Sequence, residues 1–205
     1  MEFLALRSAL IATANELIDS GINKGTSGNL SVRTDGGFLI TPSGTPYSSL
    51  KPENIVFMNL SGEHHSSYKP SSEWRFHRDI YVARDDAGAI VHTHSVHATA
   101  LACLNRGIPA FHYMVAAAGG HDIRCAPYAT YGTQELSDFA VTALVDRRAC
   151  LLSHHGVIAL GNDLSRALAL AVEVETLAHQ YLAALVVAEP ELLSDAEMDL
   201  VIEKF

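Results

Sequence analysis

The stretch VHTHSVH, residues 91–97, decides the predicted fold of this chain. It continues the apolar run of residues 89–91, which predicts a short buried strand that ends at the histidines. On a strand, side chains two positions apart share a face, with α-carbons roughly 6 to 7 Å apart, so His92 and His94 would point at one centre. On a helix the same pair would diverge by about 200°. The spacing therefore favours a strand whose histidines can chelate a metal.

The pair alone does not separate a metal site from two half-buried histidines that bind backbone carbonyls. A second apolar strand, ACLLSHHG at residues 149–156, also runs into histidines and then into a glycine turn. Adjacent residues on a strand point to opposite faces, so only one of His154 and His155 should join the site. Three imidazoles with an open fourth position are the pattern of a catalytic zinc site.

Composition narrows the class of protein. With 205 residues and 48% hydrophobic content, the chain is expected to form one globular domain over 1–205. The net charge of -9 argues against nucleic acid or an anionic membrane as a partner. The N-terminal stretch is interrupted by charged residues, which predicts neither a signal peptide nor a membrane span. An odd number of scattered cysteines in apolar contexts predicts reduced, buried thiols and a cytoplasmic protein: Cys103, Cys125 and Cys150.

Three loops in the first half of the chain are rich in hydroxyl groups and glycine. They are GTSGNLS at 25–31, TPSG at 41–44 and KPSSEW at 69–74. Taken singly, each is more often only a turn, and Ser71 or Ser72 could simply be a helix N-cap. Glycine-rich loops and helix N-termini also bind anions through backbone N–H groups. Three loops of one chemistry predict a single phosphate site, held by neutral donors rather than by lysine.

The order of elements predicts the fold class. A helix over about 3–19 precedes a β-hairpin that turns at 35–37, and strands then alternate with helices. A long helix to about Val187 follows a cap at Asn162 and Asp163, and Ser194 opens a capping box for the last helix. We expect an α/β fold: a single-domain three-layer sandwich with a largely antiparallel central sheet flanked by helices.

Five motifs together resemble, in order and spacing, the class II aldolase and adducin superfamily. These motifs are GTSGNLS at 25–31, TPSG at 41–44, KPSSE at 69–73, HTHS at 92–95 and HHG at 154–156. The resemblance covers nearly the whole chain and is greatest to the L-fuculose-phosphate aldolase branch, which the segments 112–114, 116–120 and 125–130 also resemble.

The resemblance implies the residues of an active site. It assigns zinc to His92, His94 and His155, with Glu73 as acid/base and as the fourth ligand in the resting state. The substrate phosphate is assigned to Thr26, Gly28, Asn29, Ser43, Gly44, Ser71 and Ser72. Family members are homotetramers with active sites at subunit interfaces, where a tyrosine that matches Tyr113 enters from the neighbouring subunit.

The implied reaction is reversible retro-aldol cleavage of a ketose 1-phosphate to dihydroxyacetone phosphate and an aldehyde. Zinc would act as a Lewis acid at the ketose oxygens, Glu73 would exchange the proton at C3, and Tyr113 would assist at the C4 oxygen. Mn²⁺ or Co²⁺ could replace Zn²⁺, because sites of three histidines bind several divalent metals. A Schiff-base route is disfavoured, because none of the four lysines has an apolar setting: Lys24, Lys51, Lys69 and Lys204.

Two departures from the family pattern affect the aldehyde end. The sequence ends at Phe205, where related chains continue into a tail with a second tyrosine, and Tyr131 stands where phenylalanine is expected. The substrate could therefore be L-fuculose 1-phosphate or a 5-deoxy- or 5-methylthio-ribulose 1-phosphate. Alternatives within the superfamily are a pentulose-phosphate 4-epimerase, a thiosugar-phosphate dehydratase and a non-catalytic adducin-like scaffold. An unrelated zinc hydrolase is a more distant alternative.

Overall fold

A seven-stranded sheet carries the histidine stretch near its centre. The computed structural model describes residues 1–205. The strands are β1 Asn29–Thr34, β2 Gly37–Ile40, β3 Val56–Asn59, β4 Ala89–Thr93, β5 Arg124–Ala126, β6 Ala149–Leu152 and β7 Gly156–Gly161. Their order is β3-β2-β1-β4-β7-β6-β5, and only β5 and β6 are parallel. The predicted, largely antiparallel sheet is confirmed.

Helices cover both faces of the sheet. They are α1 Leu4–Asp19, α2 Trp74–Ala83, α3 Val96–Cys103, α4 Gln134–Ala143, α5 Leu164–Val187 and α6 Asp195–Ile202. One buried cluster joins α1, α3 and α5 to one face of the sheet, and a second cluster joins α2 and α4 to the other face. The predicted three-layer α/β sandwich is confirmed.

The alternation along β4 places the first histidine. Ala89 and Val91 enter the larger core, whereas Ile90 enters the core beneath α2. Because strand side chains alternate, His92 faces the same side as Ile90. Its ring packs edge-on against Phe76 of α2, with ring centroids 5.4 Å apart. The strand therefore places the buried imidazole of His92 beside the N-terminal end of α2.

The long helix α5 forms the middle of the larger core. Asp163 caps it, since its carboxylate accepts from the main-chain N–H of Arg166 at 2.7 Å. By length and composition alone, α5 is apolar enough to cross a membrane. Nine of its residues are buried, however, and they pack in the same core cluster as the sheet. This packing is that of a core helix in a globular domain.

The structure differs from the sequence analysis at three places. The sequence does not predict the strand β5, because three residues are too few to show a period of two. Neither Ser71 nor Ser72 is the N-cap of α2: Glu73 occupies that position, and the Ser71 hydroxyl accepts from its main-chain N–H at 3.3 Å. Of the three cysteines predicted to be buried, only Cys150 is.

His121 joins the segment before β5 to α6 and should make stability depend on pH. Its ring nitrogens lie 2.7 Å from Asp199 and 3.1 Å from Asp195. The hydrogen bond to Asp199, with the nearby carboxylate charges, raises the pKa of His121. The protonated form is favoured by folding, so the stabilisation is complete below the unfolded pKa of about 6.5 and is lost as pH rises through the folded pKa.

Because both aspartates are largely exposed, the pairs should contribute only about 0.5 kcal/mol. We expect His121→Gln to lower Tm by about 1–2 °C near pH 5 and to leave it unchanged near pH 9. Thermal unfolding of both proteins at the two pH values checks this. An equal loss of Tm at both pH values would show that the charge of His121 does not contribute to stability.

Candidate metal and phosphate site

Four side chains converge on one point at the C-terminal end of the central strand β4. The ligand atoms of Glu73, His92, His94 and His155 all lie within 4.8 Å of one another. The Nε2 atoms of His92 and His94 are 3.1 Å apart. The two Glu73 oxygens lie 3.2 Å from His92 Nε2 and 3.0 Å from His155 Nε2. The structure thus brings together the four residues predicted to bind metal.

His155 joins the cluster for a different reason than predicted. The strand β6 ends at Leu152, so His154 and His155 lie in the turn before β7 rather than on a strand. His154 has φ 53°, in the left-handed region that few non-glycine residues adopt. Its ring lies edge-on to Tyr128, with centroids 6.0 Å apart, outside the cluster. The backbone of the turn, rather than strand alternation, selects His155.

The hydrogen bond of His92 and the surroundings of His94 suit these two rings to metal binding. His92 Nδ1 lies 3.0 Å from the carbonyl oxygen of Val157 in β7. A neutral imidazole donates Nδ1–H to that carbonyl and leaves the Nε2 lone pair facing the cluster. Burial, together with the neighbouring His92 and His155, lowers the pKa of His94 to about 4. At neutral pH, therefore, His94 also presents a free lone pair.

Glu73 supplies the negative charge of the cluster. Burial by itself would raise its pKa, but the electrostatic interactions with the adjacent His92 and His155 rings outweigh burial and hold the pKa well below its usual range. The carboxylate is only 6% exposed, and its Oε1 has no well-aligned hydrogen-bond donor in the protein. A buried carboxylate facing three imidazole nitrogens is costly unless a cation compensates it. The donor set therefore fits a divalent metal of the zinc class.

A cavity of about 380 Å³ opens beside the cluster. Every residue that was predicted to bind phosphate lines this cavity, together with Glu73, His94 and His155. No lysine or arginine lines it. The three loops, which are distant in sequence, therefore form one wall of neutral donors next to the candidate metal site.

Several backbone donors in this wall are free. The main-chain N–H groups of Gly28, Gly44 and Ser72 make no hydrogen bond within the chain. Free amides on adjacent loops form the kind of concave nest that binds phosphate oxygens. A phosphate here would be held by amides and hydroxyls, which agrees with the predicted neutral site.

The Asn29 side chain makes two contacts that the sequence does not predict. Asn29 lines the cavity, but its amide nitrogen donates to Glu73 Oε2 at 2.9 Å and its oxygen lies 2.5 Å from His77 Nε2. The carboxamide thus bonds Glu73 through one of its two N–H groups and His77 through its oxygen, which leaves its second N–H for a phosphate. The residue type indicated a polar contact, but the sequence could not show which neighbour the amide meets.

Residues 8–182 match the family model described as Class II Aldolase and Adducin N-terminal domain. The chain belongs to this family. A 5-methylthioribulose-1-phosphate/5-deoxyribulose-1-phosphate aldolase of Rhodospirillum rubrum is 57% identical over 202 residues, which cover 98% of this chain and 91% of that protein. An L-fuculose phosphate aldolase of Escherichia coli K12 is 52% identical over 206 residues, covering 100% of this chain and 96% of that protein.

A solved structure of an L-fuculose 1-phosphate aldolase superposes on this chain with a TM-score of 0.94. The two are 44% identical, and the match covers 97% of this chain and 95% of the other. The predicted membership of the class II aldolase and adducin superfamily, in the fuculose-phosphate aldolase-like branch, is therefore confirmed.

Two aromatic residues and one histidine complete the wall of this class II aldolase cavity. Tyr128, Tyr131 and His154 line it together with the phosphate loops. The sequence pointed to Tyr131 as a departure from the family pattern, but no signal placed His154 there. Tyr113, predicted to act in catalysis, does not line the cavity of its own chain, and its side chain is about half exposed.

Two glycines of the phosphate loops should respond differently to substitution. Both have positive φ, 75° at Gly28 and 67° at Gly44. A Cβ on Gly28 would lie 2.5 Å from the carbonyl oxygen of His92, whereas a Cβ on Gly44 would meet nothing within 4 Å. Both alanine variants carry backbone strain of roughly 1 kcal/mol, but only Gly28→Ala adds a clash with backbone.

We expect Gly28→Ala to reduce the free energy of unfolding by about 3 kcal/mol and Gly44→Ala by about 1 kcal/mol. Urea denaturation of the two variants beside the wild type checks this. Equal losses would mean that the loop at Gly28 moves away without cost.

Proposed function

We propose that the protein is a metal-dependent class II aldolase that reversibly cleaves a ketose 1-phosphate to dihydroxyacetone phosphate and an aldehyde. The observation that carries the proposal is the single cavity in which a cluster of three histidines and a carboxylate adjoins the hydroxyl and amide loops. Relatives named for this reaction match almost the full chain. We further propose that residues 1–205 act as one catalytic domain.

The metal would be held by His92, His94 and His155, with Glu73 as a fourth ligand before substrate binds. When bound, it supplies a Lewis acid that stabilises negative charge on the ketose oxygens. Zinc suits the nitrogen-rich, four-ligand set, and Mn²⁺ or Co²⁺ are the alternatives.

The protein residues have three tasks in this proposal. The main-chain amides of Gly28, Gly44 and Ser72, with the Ser72 hydroxyl, hold the phosphate and so place the ketose at a fixed distance from Glu73. Glu73 takes the proton from C3 in the synthetic direction and returns it after cleavage. Tyr113 of a neighbouring subunit assists proton transfer at the C4 oxygen.

The aldehyde fragment would occupy the part of the cavity lined by Tyr128, Tyr131 and His154. The names of the relatives place two substrate types in this branch, one from fuculose and one from 5-methylthio- or 5-deoxyribulose. Comparing kcat/KM for L-fuculose 1-phosphate, 5-deoxyribulose 1-phosphate and 5-methylthioribulose 1-phosphate would identify the preferred aldehyde. Conversion of a pentulose phosphate without release of dihydroxyacetone phosphate would instead favour the epimerase or dehydratase.

We also propose a cytoplasmic homotetramer with its active sites at subunit interfaces. The position of Tyr113, which is half exposed and away from the cavity of its own chain, supports the part of this proposal that concerns a shared active site. Co-expression of Glu73→Gln and Tyr113→Phe chains tests this directly. If the two residues of each site come from different subunits, about a quarter of the sites in mixed tetramers regain both residues and activity exceeds that of either parent.

The control for co-expression is a mixture of the two variants that are purified separately. The mixture is assayed before the tetramers can exchange subunits. This mixture should show only the mean of the two parents. Absence of any gain on co-expression, with mixed tetramers shown by differential tags, would refute a shared site.

A further inference from the structure

A continuous chain of buried hydrogen bonds lies behind Glu73. Its members are Tyr81, Ser31, His77, Asn29 and Glu73, none more than 6% exposed. The Tyr81 hydroxyl lies 2.8 Å from Ser31 Oγ, which lies 2.6 Å from His77 Nδ1. The chain continues from His77 Nε2 to Asn29 Oδ1 at 2.5 Å and from Asn29 Nδ2 to Glu73 Oε2 at 2.9 Å.

The direction of every hydrogen bond in this chain follows from its last member. A carboxylate only accepts, so the nitrogen of Asn29 donates to Glu73 and its oxygen must accept from His77 Nε2–H. A neutral His77 then has a bare Nδ1, which accepts from Ser31, and the Ser31 oxygen accepts from Tyr81. Burial lowers the pKa of His77 to about 3, so the imidazole is neutral, as this arrangement requires.

The orientation of the Asn29 amide matters because an amide can turn by 180° with little change in shape. In the turned orientation the carbonyl oxygen would face the Glu73 carboxylate, and like partial charges would push the carboxylate out of place. The N–H of His77 favours the observed orientation, since it can bond only to the amide oxygen. Asn29 also directly follows Gly28, so the amide ties the phosphate loop to the carboxylate.

We propose that His77 is a positioning residue that acts through Asn29 to hold the Glu73 carboxylate in the metal site. This inference rests on the proposed role of Glu73 as metal ligand and acid/base. His77 touches neither the cavity nor the metal cluster. It acts by supplying one N–H, so a residue that supplies an N–H at the same place should replace it.

A matched pair of variants separates the N–H from the volume of the ring. Glutamine at residue 77 places its amide nitrogen near the position of Nε2, whereas methionine has similar length but no donor. At saturating metal we expect His77→Met to lower kcat roughly 10- to 100-fold and His77→Gln to retain most of it. KM for the ketose phosphate should change little in both, because the free amides of the phosphate loops are intact.

Metal affinity gives a second measure that needs no sugar substrate. Competition with a chromogenic chelator should show that His77→Met binds Zn²⁺ roughly tenfold more weakly than His77→Gln. If the wild type releases no dihydroxyacetone phosphate but the two variants differ in zinc affinity as expected, the positioning role of His77 is supported and the proposed reaction is refuted. If the wild type is an active aldolase and the two variants have equal kcat and equal zinc affinity, the positioning role of His77 is refuted and the proposed reaction is not.

A second substitution covers the case in which His77→Met does not fold. Asn29→Asp keeps the shape of the side chain and replaces the N–H at Glu73 by an oxygen. It should lower kcat and zinc affinity at least as much as His77→Met. Wild-type values in this variant would overturn the proposal, because no donor would then be needed at Glu73.

Discussion

Glutamine at residue 73 should lower kcat for ketose 1-phosphate cleavage by about 1000-fold, because it keeps the shape of Glu73 but cannot exchange the C3 proton. Asn29 can still donate to the glutamine oxygen, so the local packing should persist. KM should change by less than about threefold, since the phosphate loops are unaltered. Steady-state rates at saturating Zn²⁺, with bound metal measured in the same samples, check this.

Glu63→Gln is the matched control for the loss of one carboxylate. Glu63 is held in a surface turn by Asn59 and Ser61 and lies outside the cavity. Its substitution should leave kcat unchanged. A Glu73→Gln enzyme that keeps more than about a tenth of wild-type kcat would remove Glu73 from the proton transfer.

Alanine at residue 94 should abolish both metal retention and activity. His94 is one of the three histidines proposed to bind the metal and is the most exposed of the cluster, so its loss should leave the fold intact. Removing one of three nitrogen ligands is expected to weaken metal binding by at least about 1000-fold, which leaves less than a tenth of an equivalent after dialysis. Elemental analysis and activity on the same dialysed samples check this.

His154→Asn provides the control for this variant. His154 adjoins His155 but points away from the cluster, and asparagine tolerates its positive φ. This variant should retain one equivalent of metal. A full equivalent in His94→Ala, or its loss in His154→Asn, would show that the cluster is assigned to the wrong histidines.

The pair of His92 and His94 could be predicted because its spacing is periodic. The apolar run of β4 indicates a strand, and the two-residue spacing directs His94 to the same centre as His92, although His94 lies one residue beyond the end of the strand. His155, which the family resemblance assigns, lies in the cluster and His154 does not, but the turn after β6 decides this, and a turn conformation is not encoded in a period of two. The strand β5 is not predicted because its three residues are too few to show a period of two.

The support behind the site could not be predicted from residue types. His77 belongs to the apolar stripe of α2 and has the pattern of an ordinary core position, although it lies one helical turn after Glu73. Asn29 is expected to bind phosphate because it lies in a glycine-rich loop, and only the structure shows that its amide also donates to Glu73. In the proposed function Tyr113 acts from a second subunit, and the sequence of one chain indicates this role only through resemblance.

The most direct test of metal-dependent aldolase activity is the release of dihydroxyacetone phosphate from the three ketose 1-phosphates, before and after removal of metal. We predict one dihydroxyacetone phosphate per ketose consumed, loss of the reaction in chelator-treated protein, and recovery on adding Zn²⁺. No release from any of the three by protein that holds a full equivalent of metal would contradict the proposed function.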